Sequence, residues 1–227
     1  MIPTPINTPT PPAGVDGLVL HFDAKQISLN DNDAVSQWDD VSGSGANAVQ
    51  ANATYQPVYK ATEFSGFPCV YFSTTATKWL DFGATDLSSA FSYFVVYKRP
   101  NVTVDAQIMA NGAGGQQFMM YGSDWWLGSA KATIAQTNDV AYLYSATFSD
   151  TAANRWLDGV AAGTTAGGSA SHYTFHFIGY GFGAYDGPCG YIAEIMVYDS
   201  VLSDGDRESV ETFLEGRWFI PSPTPTP

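Results

Sequence analysis

The chain is short of basic residues. Only 9 Lys and Arg stand against 22 Asp and Glu in 227 residues, a net charge of −13. Such a surface repels phosphate backbones and anionic headgroups, which argues against nucleic acid and membrane surfaces as partners. Cysteine is nearly missing. Cys69 and Cys189 are too few for a disulfide framework, and no C-x-x-C pair suggests zinc. They can form one bridge or remain two thiols; burial as thiols is favoured, because free Cys behaves as a small core hydrophobe. No apolar run approaches the ~18 residues of a membrane-spanning helix. The opening MIPTPINTPTPP has neither a basic start nor an apolar core, so no secretory signal is expected. The three histidines, His21, His172 and His176, sit beside no G-x-S-x-G elbow and in no H-E-x-x-H pair, which removes the usual serine-hydrolase and zinc-protease patterns. Helical periodicity is nearly absent until the last thirty residues.

Apolar material is plentiful. Hydrophobic residues make up 45% and aromatics 15%, enough for a substantial core and incompatible with intrinsic disorder. Short runs rich in β-branched and aromatic residues recur: LVLHF (18–22), PCVYF (68–72), FSYFVVYKR (91–99), QQFMMYG (116–122), AYLYSATF (141–148), NRWLDGV (154–160), TFHFIGYG (174–181) and YIAEIMVYD (191–199). Gly, Asn, Asp and Ser clusters separate them. Many short strands with turn signals between them predict an all-β protein, an antiparallel β-sandwich or jelly roll. Near the end the period changes. Ser203 suits an N-cap, Asp204 and Asp206 suit the first turn, and Val210, Phe213, Leu214 and Trp218 follow 3–4 spacing. One short C-terminal helix is therefore predicted, lying as a lid on one edge of the sandwich. Arg207 and Glu211 are placed to pair at i, i+4 on its surface.

Three segments follow. Residues 1–13 form a Pro/Thr-rich arm, 14–220 a single domain, and 221–227 a Pro/Thr-rich tail. The end segments favour extended polyproline II and read as linkers, or as arms that lie on a neighbour.

Several stretches resemble the concanavalin A-like, laminin-G-type jelly-roll domains found in bacterial surface proteins and bacteriophage structural proteins. They are GLVLHFDA, the W-x-D-x-S-G-x-G phrase of Trp38, Asp40, Ser42, Gly43 and Gly45, FSGFPCVYF, and ANRWLDGVAAG with Asp158 where that family usually has Asn. The most specific is the closing GYIAEIMVYDSVLSDGDRESVETFLEGRW. The resemblance spans about the whole globular part. It implies a concanavalin A-like sandwich, but not a ligand, because such domains serve glycan binding, adhesion and purely structural roles.

Candidate chemistry is limited. Glycosidases on that fold, of the laminarinase type, carry two glutamates at i and i+4 on one strand face, and a retaining mechanism needs two carboxyls ~5–5.5 Å apart. Here the residues four away from Glu194 are Gly190 and Tyr198, so the strand supplies a single carboxylate. Glu194 is read as structural, paired with a backbone N–H or with Arg155, and no catalytic residue is assigned. Asp31, Asp33, Asp39 and Asp40 crowd one loop region, where hard oxygens suit Ca²⁺. The spacing is not that of an EF-hand, and Asx residues also simply make turns; Asp40 and Ser42 are expected to cap the S-G turn. For glycan or partner binding, two aromatic loops stand out: Trp125 and Trp126 in GSDWWLG, and Tyr180, Phe182, Tyr185 and Asp186 in GYGFGAYDG. Adjacent Trp residues on a strand face opposite ways, so one of the pair is core and the other exposed.

The leading expectation is a non-enzymatic module of a bacteriophage virion, a structural or decoration protein displaying a lectin-like sandwich outward. Its Pro/Thr arms would be anchored to protein partners in a particle or fibre. The alternative is a carbohydrate-binding or adhesion module of a larger bacterial surface protein, extracellular, with the Pro/Thr segments as linkers. Homo-oligomerisation is compatible with both.

Overall fold

The computed structural model describes residues 10–73, 77–88, 90–100, 106–111, 117–121, 124–127, 130–149, 152–166, 172–180 and 189–219. The strands in chain order are β1 (Leu18–Asp23), β2 (Gln37–Trp38), β3 (Ala48–Val49), β4 (Val58–Phe64), β5 (Phe67–Phe72), β6 (Leu80–Ser88), β7 (Phe91–Lys98) and β8 (Ala106–Ala110). They continue with β9 (Gln117–Tyr121), β10 (Asp124–Leu127), β11 (Ala130–Thr133), β12 (Ala141–Phe148), β13 (Ala152–Leu157), β14 (Val160–Ala166), β15 (His172–Ile178) and β16 (Gly190–Tyr198). The last element among the described residues is an α-helix, α1 (Asp204–Trp218).

The strands form two antiparallel sheets. The first runs β14-β13-β12-β7-β16-β5-β4, with β1 also paired to β16; the second runs β11-β10-β9-β8-β15-β6-β3-β2. The protein is thus an antiparallel β-sandwich with a C-terminal helix. Aromatic rings fill the space between the layers. Tyr93 of the first sheet stacks on Phe118 of the second, and Trp125 stacks on Tyr144, each with centroids 3.9 Å apart. Phe22 meets both Trp38 and Phe82 at 5.7 Å. Each ring removes some 150–250 Å² from water, so these layers dominate the driving force for folding.

All eight strand-forming runs are strands, and NRWLDGV is a hairpin rather than one strand. Asp158 takes φ of 50° and Gly159 71° in its two-residue turn, which suits Asp and Gly better than a β-branched residue. The Asp158 carboxylate accepts from the Leu143 N–H at 2.8 Å, tying the turn back to β12.

The helix begins where its sequence dictates. Ser203 takes an extended conformation, and its hydroxyl accepts from the Asp206 N–H. It packs against β12 and β7 on the outer face of the first sheet rather than at an edge. Val210, Leu214 and Trp218 are buried. Arg207 and Glu211 are buried too, not on the surface as their spacing alone suggests. Arg207 lies 4.1 Å over the Trp156 ring and pairs with Glu211, which accepts from Ser145 of β12. This pair is part of the helix–sheet seam.

Cys69 and Cys189 are both free and buried. Burial pushes the Cys69 thiol up to about 12 and raises Cys189 as well, so both stay protonated and unreactive.

Candidate functional site

The carboxylate that first draws attention is Glu194. A bulge on β16 falls between Ile192 and Glu194, opposite Tyr97 and Val96 of β7. Simple alternation puts Ile192 and Glu194 on one face; the bulge separates them. Ile192 stays with the core-facing Tyr97, while Glu194 turns toward α1. Its partners are neither a backbone N–H nor Arg155. His21 Nε2 lies 2.6 Å from one carboxylate oxygen, and Arg217 Nε (3.1 Å) and the Trp218 indole N–H donate to the other. Arg155 instead donates to the Ala153 and Ala130 carbonyls and to Thr165.

A second carboxylate does stand nearby, on a different strand. Asp23 of β1 is directly opposite Glu194, and Arg217 bridges the two, with Nη2 at 2.6 Å from Asp23. Both acids are 0% exposed. Burial pushes Glu194 up, but donation from His21, followed by Arg217 and Trp218, outweighs burial and holds its carboxyl below the ordinary value. Burial, then the charge of Glu194, raises Asp23 despite Arg217. Sequence inspection misses Asp23 because cross-strand pairing, not spacing, brings it there. The cluster joins β1, β16 and α1, with both carboxylates fully buried and only Arg217 reaching the surface, so it fastens the helix rather than facing a substrate.

The four loop aspartates all accept hydrogen bonds, some within their own turns and some, at Asp31 and Asp40, from strands β4 and β1. Asp40 accepts from the backbone N–H groups of His21, Ser42, Gly45 and Ala46 and from the hydroxyls of Ser42 and Ser44. Partial burial pushes its carboxyl up, but donation from His21, Ser44 and Ser42 overcomes this and holds it low. Asp31 accepts from Ala61 and Asn32, Asp33 from Asn30, and Asp39 from Gln37. No three His, Cys, Asp or Glu converge as a metal-binding group among the described residues.

Trp125 is 1% exposed and belongs to the core. Trp126, its neighbour, is half-buried on the opposite face, with the Lys131 ammonium 5.4 Å from its ring. Phe182, Tyr185 and Asp186 lie outside the described residues. So do residues 1–9 and 220–227, on which the arm and tail rest.

Tyr180 has company that sequence reading does not identify. Its ring lies 4.9 Å from Phe177 and 5.6 Å from Trp79; Trp79 is 5.3 Å from Phe177 and stacks on Tyr55 at 6.3 Å. Tyr55 is 39% exposed, and the other three rings are half-buried. Irregular pairing makes this cluster. On β15, Tyr173 and Phe175 point into the core, but the register against β6 shifts between Phe175 and Phe177. Gly83, at φ of 76°, sits within the extra length of β6. The shift lets Ile178 keep a core position while Phe177 turns outward. Trp79 is anchored by its backbone N–H, which donates to the Tyr55 carbonyl at 3.0 Å.

A row of side chains crosses the same outer face. Gln37 of β2 opposes Val49 of β3, Val49 opposes Asp81 of β6, and Asp81 opposes Phe177 of β15. Directly opposed residues share a face, and none of the four is buried; Val49 is 44% exposed. The row spans three strand spacings, ~14 Å. Next to its Gln37 end lies a recess of about 250 Å³ lined by Gln26, Ile27, Ser28, Leu29, Ser36, Gln37, Trp38 and Asp39. The arrangement offers flat aromatic faces, amides, hydroxyls and carboxylates in one open strip; among the described residues, neither an activated nucleophile nor an acid–base pair is exposed beside it.

Comparison with known proteins adds the fold class. No family model matches the sequence, and no curated protein matches it. Solved structures do. Domain 4 of AbnA, an extracellular arabinanase of Geobacillus stearothermophilus solved with arabinotriose, is similar at TM-score 0.60 and 10% identity, covering 86% of this chain and 98% of that one. The binding domain of Paraclostridial Mosquitocidal Protein 1 is similar at TM-score 0.58 and 10% identity, over 88% of this chain and 52% of that one. Trypanosoma rangeli sialidase with sialic acid is similar at TM-score 0.53 and 15% identity, over 88% of this chain but only 33% of the enzyme. At such identities the likeness is one of fold: a β-sandwich of the kind these proteins use.

Proposed function

We propose that this protein is a carbohydrate-binding module whose glycan lies on the open face of the second sheet. The carrying observation is the aromatic group of exposed Tyr55 and half-buried Trp79, Phe177 and Tyr180 beside the polar row Gln37–Asp81. Sugar rings present apolar C–H faces, which pack on aromatic rings, and hydroxyls, which need amide and carboxylate partners. One of the structural relatives, domain 4 of the arabinanase, was solved in complex with arabinotriose, which supports the same use of this fold. In this proposal the sandwich is of the concanavalin A-like type, the Pro/Thr segments are linkers, and the setting is extracellular or at a cell surface. The virion reading has no comparable observation behind it. Trp126 would be a secondary contact.

A glycan array followed by calorimetry tests this. Trp79→Ala is expected to weaken the best-binding glycan at least ~10-fold, the effect of losing one well-placed contact of ~1.4 kcal/mol. Tyr55→Ala, at a more exposed ring, provides the check should Trp79→Ala fold poorly. Absence of binding to any glycan on the array would sink the proposal.

A further inference from the structure

We infer that the recess beside Gln37 is a subsite for the terminal residue of an uncharged glycan, and that it rejects carboxylated sugars. The inference rests on the carbohydrate-binding proposal and goes further by assigning the end of the chain and its charge class. At about 250 Å³ the recess is below the ~300–1,000 Å³ of pockets for drug-sized ligands and suits a single small polar unit. Its polar lining consists of two amides, Gln26, whose side-chain NH₂ donates to Asp23 at 3.2 Å, and Gln37, whose side-chain NH₂ donates to Asp39, with two hydroxyls (Ser28, Ser36) and the Asp39 carboxylate; Ile27 and Leu29 are the apolar part. Amides and hydroxyls both donate and accept, as sugar hydroxyls do; Asp39 only accepts.

Among the described residues, no Lys, Arg or His lines the recess. Lys25, next in sequence to Gln26, is turned away: its ammonium donates to the Arg217 carbonyl and sits over the Phe67 and Trp218 rings. A sugar carboxylate entering here would face Asp39 with no compensating cation, on a protein already carrying −13. Like charges at close range weaken binding, and a desolvated carboxylate without a partner is costly.

Position links the recess to the aromatic surface. Gln37 lines the recess and also begins the row Gln37–Val49–Asp81–Phe177. A glycan whose last unit sits in the recess runs its next units over Val49 and Asp81 to Phe177 and Trp79. The ~14 Å involved is the reach of a short oligosaccharide.

The test titrates the full chain with two matched pairs: lactose against 3′-sialyllactose, and xylotriose against its glucuronic-acid-substituted form. At least one neutral member is expected to bind, and its acidic partner to bind at least ~10-fold more weakly. Gln37→Ala, and Ser36→Trp to fill the recess, are each expected to weaken the neutral probe about 10-fold with melting temperature unchanged. If both variants bind as the parent does, the recess is not a subsite, while the aromatic proposal survives through Trp79→Ala. Equal or tighter binding of the acidic members overturns the charge assignment. If neither pair binds, the inference fails, and the array then decides the wider proposal.

Discussion

The two outer faces of this sandwich treat polar groups in opposite ways. Under α1, on the first sheet, Glu194, Asp23, His21, Arg217 and Trp218 lock into one closed network. On the second sheet, Gln37, Asp81 and the rings of Tyr55 and Trp79 face solvent in an open strip. In the first region polar atoms are neutralised by neighbours, so their worth is structural. In the second they retain capacity for something outside the chain. Carboxylates therefore say little by type; what distinguishes the regions is whether another element covers them.

That contrast can be broken from the covered side most severely. Glu194→Gln leaves His21 and Arg217 without the carboxylate they share, in a site where that carboxylate is fully buried. A loss of about 3–5 kcal/mol in urea denaturation is expected, as for removing one member of a buried ion pair. A loss under 1 kcal/mol would mean that water reaches the cluster.

Acid should act next. Glu194 has a depressed folded value, so its stabilising contribution is complete above its ordinary 4.5 and is lost as pH falls through the folded value. Asp23, raised from 3.8, works in the opposite sense: its contribution is complete below 3.8 and is lost as pH rises through the folded value. The parent's stability is expected to fall on acidification below 4.5, less steeply than Glu194 alone would impose. The Glu194→Gln variant should lack the Glu194 part of that slope; identical slopes in parent and variant would contradict the assignment.

Smaller still is the cap of the covering helix. Ser203→Ala removes the acceptor for the Asp206 N–H and should cost about 1 kcal/mol in thermal unfolding. At the open face, Gln37→Ala should change stability by no more than about 0.5 kcal/mol, because its side chain is exposed. A larger loss there would show that the strip is structural after all.

Much of the fold is readable from residue order. Eight strands announce themselves by β-branched and aromatic runs, and α1 by Ser203 and its 3–4 spacing. Strands β2, β3, β4, β6, β8 and β11 are not singled out, and β10 falls in GSDWWLG, which reads as an aromatic loop. Phe82 in LDFGATDLS and Met109 in AQIMA lie among small or polar residues, and only pairing with β15 and β9 makes those segments strands. The site was less legible. Tyr180 and the division of labour between Trp125 and Trp126 could be anticipated from alternation. Trp79, Phe177 and Tyr55 could not, because their meeting depends on a register shift and on pairing of distant strands.

Composition and period determined by themselves that this chain would be a sandwich of aromatic-rich strands with an acidic surface and a terminal helix. Those properties follow from local propensity and from the need to bury apolar area. Tertiary structure alone decided that Asp23 faces Glu194 across two strands 171 residues apart in sequence (194 − 23). It alone decided that a bulge turns Phe177 outward toward Trp79. Both rest on strand register, and a shift of one residue exchanges the faces of every side chain beyond it.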